Sequence, residues 1–136
     1  MVSLFRRDGT RNSDVEVTDG STSVFGDNIA GLNGNDTIYA HGGNDTVSGG
    51  DDNDVIFDLA TAFVGSGNDQ IFGDAGNDTI HGGEGSDTLD GGTGTDLVTY
   101  QSSTAGVNVS LSRTTAQFGG HAAGDIIRNV ENLTGS

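Results

Sequence analysis

The chain has 136 residues, of which 24 are glycine, with no proline, no cysteine and a formal net charge of −15. Hydrophobic residues make up only 32% of the chain, which excludes an ordinary thick hydrophobic core. The lack of cysteine excludes disulfides and thiolate metal sites, and the acidic surface repels nucleic acid and anionic membranes while it attracts cations. Such a composition is also typical of disordered chains, so only a regular pattern can argue for a fold.

Residues 1–21 form an N-terminal flank, which we expect to cap the fold. Val15 and Val17 alternate with polar residues there, as in a single β-strand. The first residues contain arginine but no apolar segment of the kind found in signal peptides of the general secretory pathway. No apolar run in the sequence is long enough for a transmembrane helix, which predicts that the chain does not insert into membranes.

Residues 22–99 contain a repeat of nine residues. Each unit carries one aspartate, and a large apolar side chain follows it two residues later. The aspartates are Asp27, Asp36, Asp45, Asp54, Asp69, Asp78, Asp87 and Asp96. The apolar residues are Ile29, Ile38, Val47, Ile56, Ile71, Ile80, Leu89 and Val98. This regularity argues against disorder and predicts a repetitive fold.

Each unit divides into a turn of six residues and a strand of three. The turns are rich in Gly and Asn because several of their positions need φ > 0. Within each strand only the middle, apolar residue points inward, since side chains alternate along a strand. Two units, eighteen residues, complete one coil and give two parallel sheets with the apolar residues between them. We therefore predict an all-β fold, a right-handed parallel β-roll, for residues 22–99.

The stacking of coils also predicts a cation site. Turns on one edge of the roll lie directly over one another at about the 4.8 Å strand spacing. Each gap between turns then receives backbone carbonyls and one aspartate carboxylate. Such an all-oxygen cage suits Ca²⁺, whose coordination is flexible, better than Mg²⁺, which needs a tight octahedron and keeps its waters.

Residues 73–81 (GDAGNDTIH), 82–90 (GGEGSDTLD) and 91–99 (GGTGTDLVT) follow the pattern G-G-x-G-x-D-x-U-x, where U is a large apolar residue. The pattern resembles that of the RTX (repeats-in-toxin) family. The resemblance implies that turn carbonyls and aspartate side chains bind calcium, and we expect about four to six ions. The implied aspartate ligands are Asp36, Asp45, Asp54, Asp69, Asp78, Asp87 and Asp96, with Asp27 at the end of the set. The implied glycines are Gly31, Gly34, Gly43, Gly49, Gly65, Gly67, Gly73, Gly76, Gly82, Gly83, Gly85, Gly91, Gly92 and Gly94.

The array departs from the repeat at two places that affect the number of sites. In the first unit Phe25 replaces a glycine, so we expect the coil of Asp27 to act as a cap rather than as a full site. An insertion at 58–63 either bulges from one edge of a continuous roll or splits the array into two blocks. Pairing each turn with the next turn on its edge gives about six sites in a continuous roll and about four in a split one.

Residues 100–136 differ in composition and are predicted to form a C-terminal β cap. The segment 107–111 alternates apolar and polar residues and predicts a strand, and 125–127 and 130–133 predict further short strands. The stretches 103–111 and 129–136 resemble the caps that follow RTX arrays and that often lead into another array. We therefore expect the chain to be a segment of a larger protein.

The sequence indicates no catalytic site in this segment. His41, His81 and His121 are not spaced as zinc ligands, and neither an H-E-x-x-H nor a G-x-S-x-G motif occurs. Without lysine there is neither a P-loop nor a Schiff base. We expect that this segment is not an enzyme and that the active site of an enzymatic parent protein would lie elsewhere.

The expected function is that of a calcium-triggered folding module. One buried aliphatic residue per strand returns less free energy than ordering each unit costs, so the calcium-free array is predicted to be disordered. Metal binding then supplies the difference and is coupled to folding. The resemblance implies a protein that a Gram-negative bacterium secretes by the type I route and that folds outside the cell.

An alternative function is the binding of a polysaccharide or a cell surface, within an adhesin or a polysaccharide-modifying enzyme. Outward positions of the predicted strands include Tyr39, Phe57, Gln70 and Phe72. Aromatic side chains on a flat sheet can stack on sugars. They are few and form no regular ladder of identical residues, so we rank this function second.

Overall fold

The computed structural model describes residues 15–17, 26–58 and 67–135. Short strands form where a β-branched or aliphatic residue lies between two outward-facing residues. In chain order they are β1 (Val15–Val17), β2 (Asn28–Asn33), β3 (Thr37–Tyr39), β4 (Thr46–Asp51), β5 (Val55–Phe57), β6 (Gln70–Ala75), β7 (Thr79–His81), β8 (Thr88–Asp90), β9 (Leu97–Thr99), β10 (Ile126–Arg128) and β11 (Asn132–Thr134). None of these described residues belongs to a helix long and apolar enough to cross a membrane.

Within the described residues the strands form two sheets. Sheet A has the order β1-β3-β5-β7-β9-β11, and sheet B has the order β10-β8-β6-β4-β2. Every pair of neighbouring strands is parallel, and consecutive strands alternate between the two sheets. The predicted parallel β-roll is therefore confirmed. The single strand expected around Val15 and Val17 is confirmed as β1, which pairs with β3.

The roll is continuous across the insertion at 58–63. Strand β4 pairs with β6 through Val47 and Ile71, and β5 pairs with β7 through Ile56 and Ile80. These pairs bring together strands from the two sides of the insertion, with the apolar column in register. The alternative in which the insertion splits the array is thus wrong. Apart from Asp58, the inserted residues lie outside the described part of the chain.

The core is a single column of side chains between the two sheets. Ile29 is 5% exposed, and the seven other predicted apolar residues are fully buried. Ala40, Tyr100, Ala122, Ile127 and Val130 extend this cluster. In β3, β5 and β7 the residues on either side of the buried position are half-buried, as period-two alternation requires. In β9 Thr99 is buried beside Val98.

The roll continues beyond the predicted repeat. Strand β10 pairs with β8, and β11 pairs with β9, so the short strands predicted near 125–127 and 130–133 are confirmed. The strand predicted at 107–111 is wrong: Asn108 forms only an isolated bridge with Phe118. Val107 and Val109 pack on the core, but the Ser110 backbone bonds to the Gln117 side chain instead of a neighbouring strand. The alternation of apolar and polar residues in 107–111 therefore reflects the packing of Val107 and Val109 on the core, and the segment pairs with no strand. Where the C-terminal cap begins stays a prediction.

Candidate metal centre

The turns form two stacks, one along each edge of the roll. Edge 1 consists of the turns that lead into sheet A, and edge 2 of the turns that lead into sheet B. The aspartates of edge 1 are Asp36, Asp54, Asp78 and Asp96, and those of edge 2 are Asp27, Asp45, Asp69 and Asp87. Since the strands of one sheet pair in register, the aspartates of one edge lie in a column along the roll.

Each column is a ladder of hydrogen bonds between coils. The backbone N–H of Asp36 donates to Oδ1 of Asp54 at 2.8 Å, and the N–H of Asp54 donates to Oδ1 of Asp78 at 2.8 Å. On edge 2 the N–H of Asp69 donates to Oδ1 of Asp87 at 2.9 Å. From Asp45 to Asp96, Oδ1 of each ladder aspartate therefore holds the preceding coil, which fixes the direction of the other oxygen.

Five of the repeat aspartates have a second carboxylate oxygen without a hydrogen-bond donor. Five aspartates are each only 1% exposed, and their Oδ2 atoms have no hydrogen-bond partner: Asp54, Asp69, Asp78, Asp87 and Asp96. A buried carboxylate oxygen without a donor or a counter-charge is costly. A cation in each gap would remove that cost.

On edge 1 the space beside Oδ2 is lined by oxygen, and a glycine keeps it free of its own side chain. A Cβ on Gly49 would overlap Asp54 Oδ2 and lie 2.8 Å from the Gly73 carbonyl oxygen of the next coil. A Cβ on Gly73 would lie 2.5 Å from Asp78 Oδ2 and overlap the Gly91 carbonyl oxygen. Gly31 and Gly91 repeat this arrangement with the aspartates of their own turns. Such cradles of carboxylate and carbonyl oxygens fit a hard cation of the calcium type.

The other predicted glycines allow the turns to stack closely. Six of them have positive φ: Gly34, Gly43, Gly76, Gly85, Gly92 and Gly94. Gly67 lies against the Gly43 carbonyl, Gly82 against the Tyr100 ring and Gly83 against Asp58. Gly65 lies outside the described residues. Which of the glycine carbonyls bind metal stays a prediction.

A second ladder runs beside the aspartates. The N–H of Asn53 donates to Asn35 Oδ1 at 2.8 Å, and the N–H of Asn77 donates to Asn53 Oδ1 at 2.7 Å. On edge 2 the N–H of Asn68 donates to Asn44 Oδ1 at 2.9 Å. These asparagines accept from the following coil, whereas the aspartates accept from the preceding one. Each Asn-Asp pair therefore ties its turn to both neighbours.

Two acidic residues that the sequence analysis missed extend the ladders. The N–H of Asp87 donates to Asp125 Oδ1, and the N–H of Asp96 donates to Glu131 Oε2, both at 2.9 Å. The Tyr100 hydroxyl donates to Asp125 Oδ2 at 2.6 Å, which gives that oxygen a donor of the kind that Oδ2 of Asp69 and Asp87 lacks. Burial, reinforced by the Asp125 charge, raises the pKa of Tyr100 and keeps this donor protonated. Tyr100 and Asp125 thereby close the column on edge 2.

Asp58 is a further buried carboxylate that the sequence analysis had placed at the start of the insertion without a role. It follows β5, and its N–H donates to the His81 carbonyl at 3.2 Å, which puts it beside Gly82 of the next coil. The residue is 0% exposed. Burial, with the nearby charge of Asp69, raises the pKa of Asp58 to about 9.

Burial also raises the pKa of the ladder carboxyls above their ordinary value of 3.8. The pKa of Asp54 rises to about 7 and that of Asp78 to about 6, although the N–H bond from the preceding coil opposes the rise. On edge 2 the pKa of Asp69 rises to about 6 and that of Asp87 to about 7. The metal-free roll therefore binds protons that the unfolded chain releases.

We expect acid to substitute in part for the cation. Because the folded pKa values are raised, their contribution to stability is full below pH 3.8 and is lost as pH rises through about 6 to 7. Circular dichroism of the chelated protein should show more β signal at pH 5 than at pH 8. High salt screens exposed charges much more than buried ones, so it should leave most of this difference in β signal between the two pH values. An equal β signal at both pH values would contradict the prediction.

The sequence model of a family described as the RTX calcium-binding nonapeptide repeat (four copies) matches residues 22–56 and 63–98. The match covers more than half of the chain and contains the turns that carry the carboxylate ladders. No curated protein sequence matches the chain significantly. Pattern, fold and oxygen-lined gaps agree with that match, and the chain belongs to the RTX calcium-binding nonapeptide repeat family as a calcium-binding module.

Proposed function

We propose that this module folds when it binds calcium and thereby controls where a larger protein becomes structured. The observation that carries the proposal is the column of buried Oδ2 atoms without donors on Asp54, Asp78 and Asp96, repeated on edge 2 by Asp69 and Asp87. Folding brings these carboxylates together and removes them from water. The ion supplies positive charge and binds the carboxylate oxygens as ligands, which makes the burial of these carboxylates favourable.

The residues that would hold the ions are the turn aspartates and, on edge 1, the carbonyls beside the first glycine of the turn. Oδ1 of each aspartate keeps its hydrogen bond to the preceding coil, so Oδ2 remains available as a ligand. The continuous stack favours about six sites between the repeat turns, the upper value expected from the sequence. Affinity and coil formation are coupled because a gap exists only between two folded coils.

The biological role that we propose is coupling of folding to export. Cytosolic calcium is low, so the module stays unfolded and can be exported. Outside the cell the calcium concentration reaches the range of the weaker protein sites, about 10⁻⁴ to 10⁻³ M, and the chain folds. Family membership supports type I secretion from a Gram-negative bacterium and an extracellular location.

The test is a calcium titration of the chelated chain, followed by far-UV circular dichroism. We expect a steep, cooperative gain of β signal with calcium and none with magnesium at the same concentration. A full β spectrum in chelator would show that core and ladders suffice without metal. That outcome would refute the folding switch, whatever the calcium affinity.

The alternative function, binding of a polysaccharide or a cell surface, has less support. Tyr39 and Phe57 stack with ring centroids 5.0 Å apart, and Phe57 and His81 stack at 4.2 Å. The facing sides of these rings contact each other, so mainly their edges remain for a sugar. Glycan arrays with and without calcium test this alternative, and strong calcium-dependent binding to one glycan class would favour it. We keep the prediction that the segment carries no catalytic site.

A further inference from the structure

Asp58 occupies a position where the consensus repeat has glycine. The corresponding residue of the next coil is Gly82, and the residue of the coil after that is Tyr100. At Asp58 the chain instead places a carboxylate inside edge 2. The side chain is fully buried, and neither of its oxygens has a hydrogen-bond donor.

Three carboxylates meet at this point. Asp58, Asp69 and Asp87 each offer a carboxylate oxygen, and these oxygens all lie within 4.8 Å of one another. Asp69 and Asp87 use Oδ1 for the ladder, so their Oδ2 atoms are available. A Cβ on Gly83 would overlap Asp58 Oδ2 and lie 2.7 Å from its carboxyl carbon, so glycine is needed beside the group.

The arginines described in this structure lie elsewhere. Arg113 packs over the Phe118 ring at 4.8 Å from its centroid, and Arg128 is exposed on β10. Among the described residues, the ion pair nearest in sequence to this cluster joins His121 and Glu84. The negative charge of the three carboxylates is thus not matched by these basic groups. A buried set of like charges needs either protons or a cation.

We propose that Asp58, Asp69 and Asp87 together form a three-carboxylate metal site for a hard divalent cation such as calcium, the tightest site of the array. The inference rests on the calcium-binding function and adds to it a ligand that the repeat pattern does not contain. Calcium affinity rises with the number of charged ligands. A turn pair with three carboxylates therefore binds more tightly than pairs that rely on the repeat aspartates and carbonyls.

The competing explanation is that Asp58 and Asp69 share a proton instead of a metal ion. A protonated Asp58 could donate to Asp69, and the pair would then be a structural contact. The two explanations differ in the effect of asparagine at position 58. Removing a ligand weakens the tightest site, whereas replacing a protonated acid by an amide leaves calcium affinity unchanged.

The experiment is isothermal titration calorimetry of the whole chain with calcium. The variants are Asp58→Asn, Asp58→Gly, which restores the residue that the repeat uses, and Asp51→Asn, which removes an exposed carboxylate as a control. We expect both Asp58 variants to weaken the tightest binding phase at least about tenfold, since charge count separates calcium-site classes by such factors. The weaker phases, and all phases of Asp51→Asn, should keep their affinities.

Terbium luminescence gives an independent reading of the same site. Tyr100 lies on edge 2 and bonds to Asp125, so excitation of tyrosine should sensitise a terbium ion bound nearby. The first equivalent of terbium should give luminescence that Tyr39→Phe leaves intact and that Asp58→Asn reduces.

Unchanged affinity of the tightest phase in both Asp58 variants would overturn the three-carboxylate site, even if calcium still folds the chain. A wild-type chain that binds no calcium would instead overturn the proposed function, and with it this site. The two failures are therefore distinguishable.

Discussion

Replacing Asp78 by asparagine is expected to change stability in opposite directions with and without calcium. Asparagine keeps Oδ1, so the hydrogen bond from the Asp54 N–H is preserved. It removes one buried charge that repels Asp54 and Asp96. Without calcium the variant should therefore fold more readily than wild type. With calcium it has lost a charged ligand, and its folding midpoint should shift to about tenfold higher calcium.

Alanine at the same position separates the hydrogen bond from the charge. Asp78→Ala leaves the buried N–H of Asp54 without an acceptor, which costs about 1–3 kcal/mol. It should fold less readily than the asparagine variant in both conditions. Folding in chelator can be driven by trimethylamine N-oxide and followed by circular dichroism, because excluded osmolytes favour compact states.

Asp51→Asn is the control for this series because it removes one negative charge from an exposed position. Asp51→Asn should neither fold more readily than wild type in chelator nor shift its folding midpoint to higher calcium. If Asp78→Asn were less stable than wild type in both conditions, buried repulsion could not be what keeps the calcium-free array unfolded.

The sequence was sufficient to predict the repeating part of the structure. A fixed period of nine residues determines which side chains face inward, so Ile38, Val47 and Ile56 were predicted to be buried without knowledge of the turns. The same period placed Asp54 over Asp36, and the ladder bond between them confirms that stacking. Periodicity succeeds here because every coil repeats the environment of the one before.

The missed residues lie where the period is broken. Asp125 stands two residues before Ile127, and Glu131 stands two residues before Leu133, which is the spacing of the repeat. The residues between Tyr100 and Asp125 interrupt the count, so this signal was not recognised. Asp58 was missed for a different reason. Its carboxylate meets those of Asp69 and Asp87 only because the roll continues across the insertion, and the repeat pattern left that continuity open.

Replacing Gly94 by alanine is expected to prevent the roll from folding at calcium concentrations that saturate wild type. Gly94 has a φ of +144°, which L side chains rarely adopt. A Cβ there would overlap the Gly76 carbonyl oxygen and lie 2.7 Å from the Gly76 carbonyl carbon. The obstacle is backbone of the neighbouring coil, so rotation of a side chain cannot relieve it.

Relief requires the turn to move away from the preceding coil, which breaks the ladder bonds at that point. The N–H of Asp78 would lose Asp96 Oδ1, and the N–H of Thr95 would lose Asn77 Oδ1, both now at 2.8 Å. Each lost bond costs about 0.5–1.5 kcal/mol, and the unfavourable backbone adds about 1–2 kcal/mol. Together these costs are a large part of the roughly 5–15 kcal/mol that stabilises a typical domain.

Gly106→Ala is the matched control because it makes the same chemical change where a Cβ would meet nothing within 4 Å. Its effect on the free energy of unfolding should stay within about 0.5 kcal/mol. Calcium titrations of the two variants, followed by circular dichroism, therefore compare the same substitution inside and outside the stacked turns. If Gly94→Ala folded with the calcium midpoint of Gly106→Ala, close stacking of the turns could not be what creates the gaps between coils. The ladders, the oxygen-lined cradles and the coupling of folding to calcium all depend on that stacking.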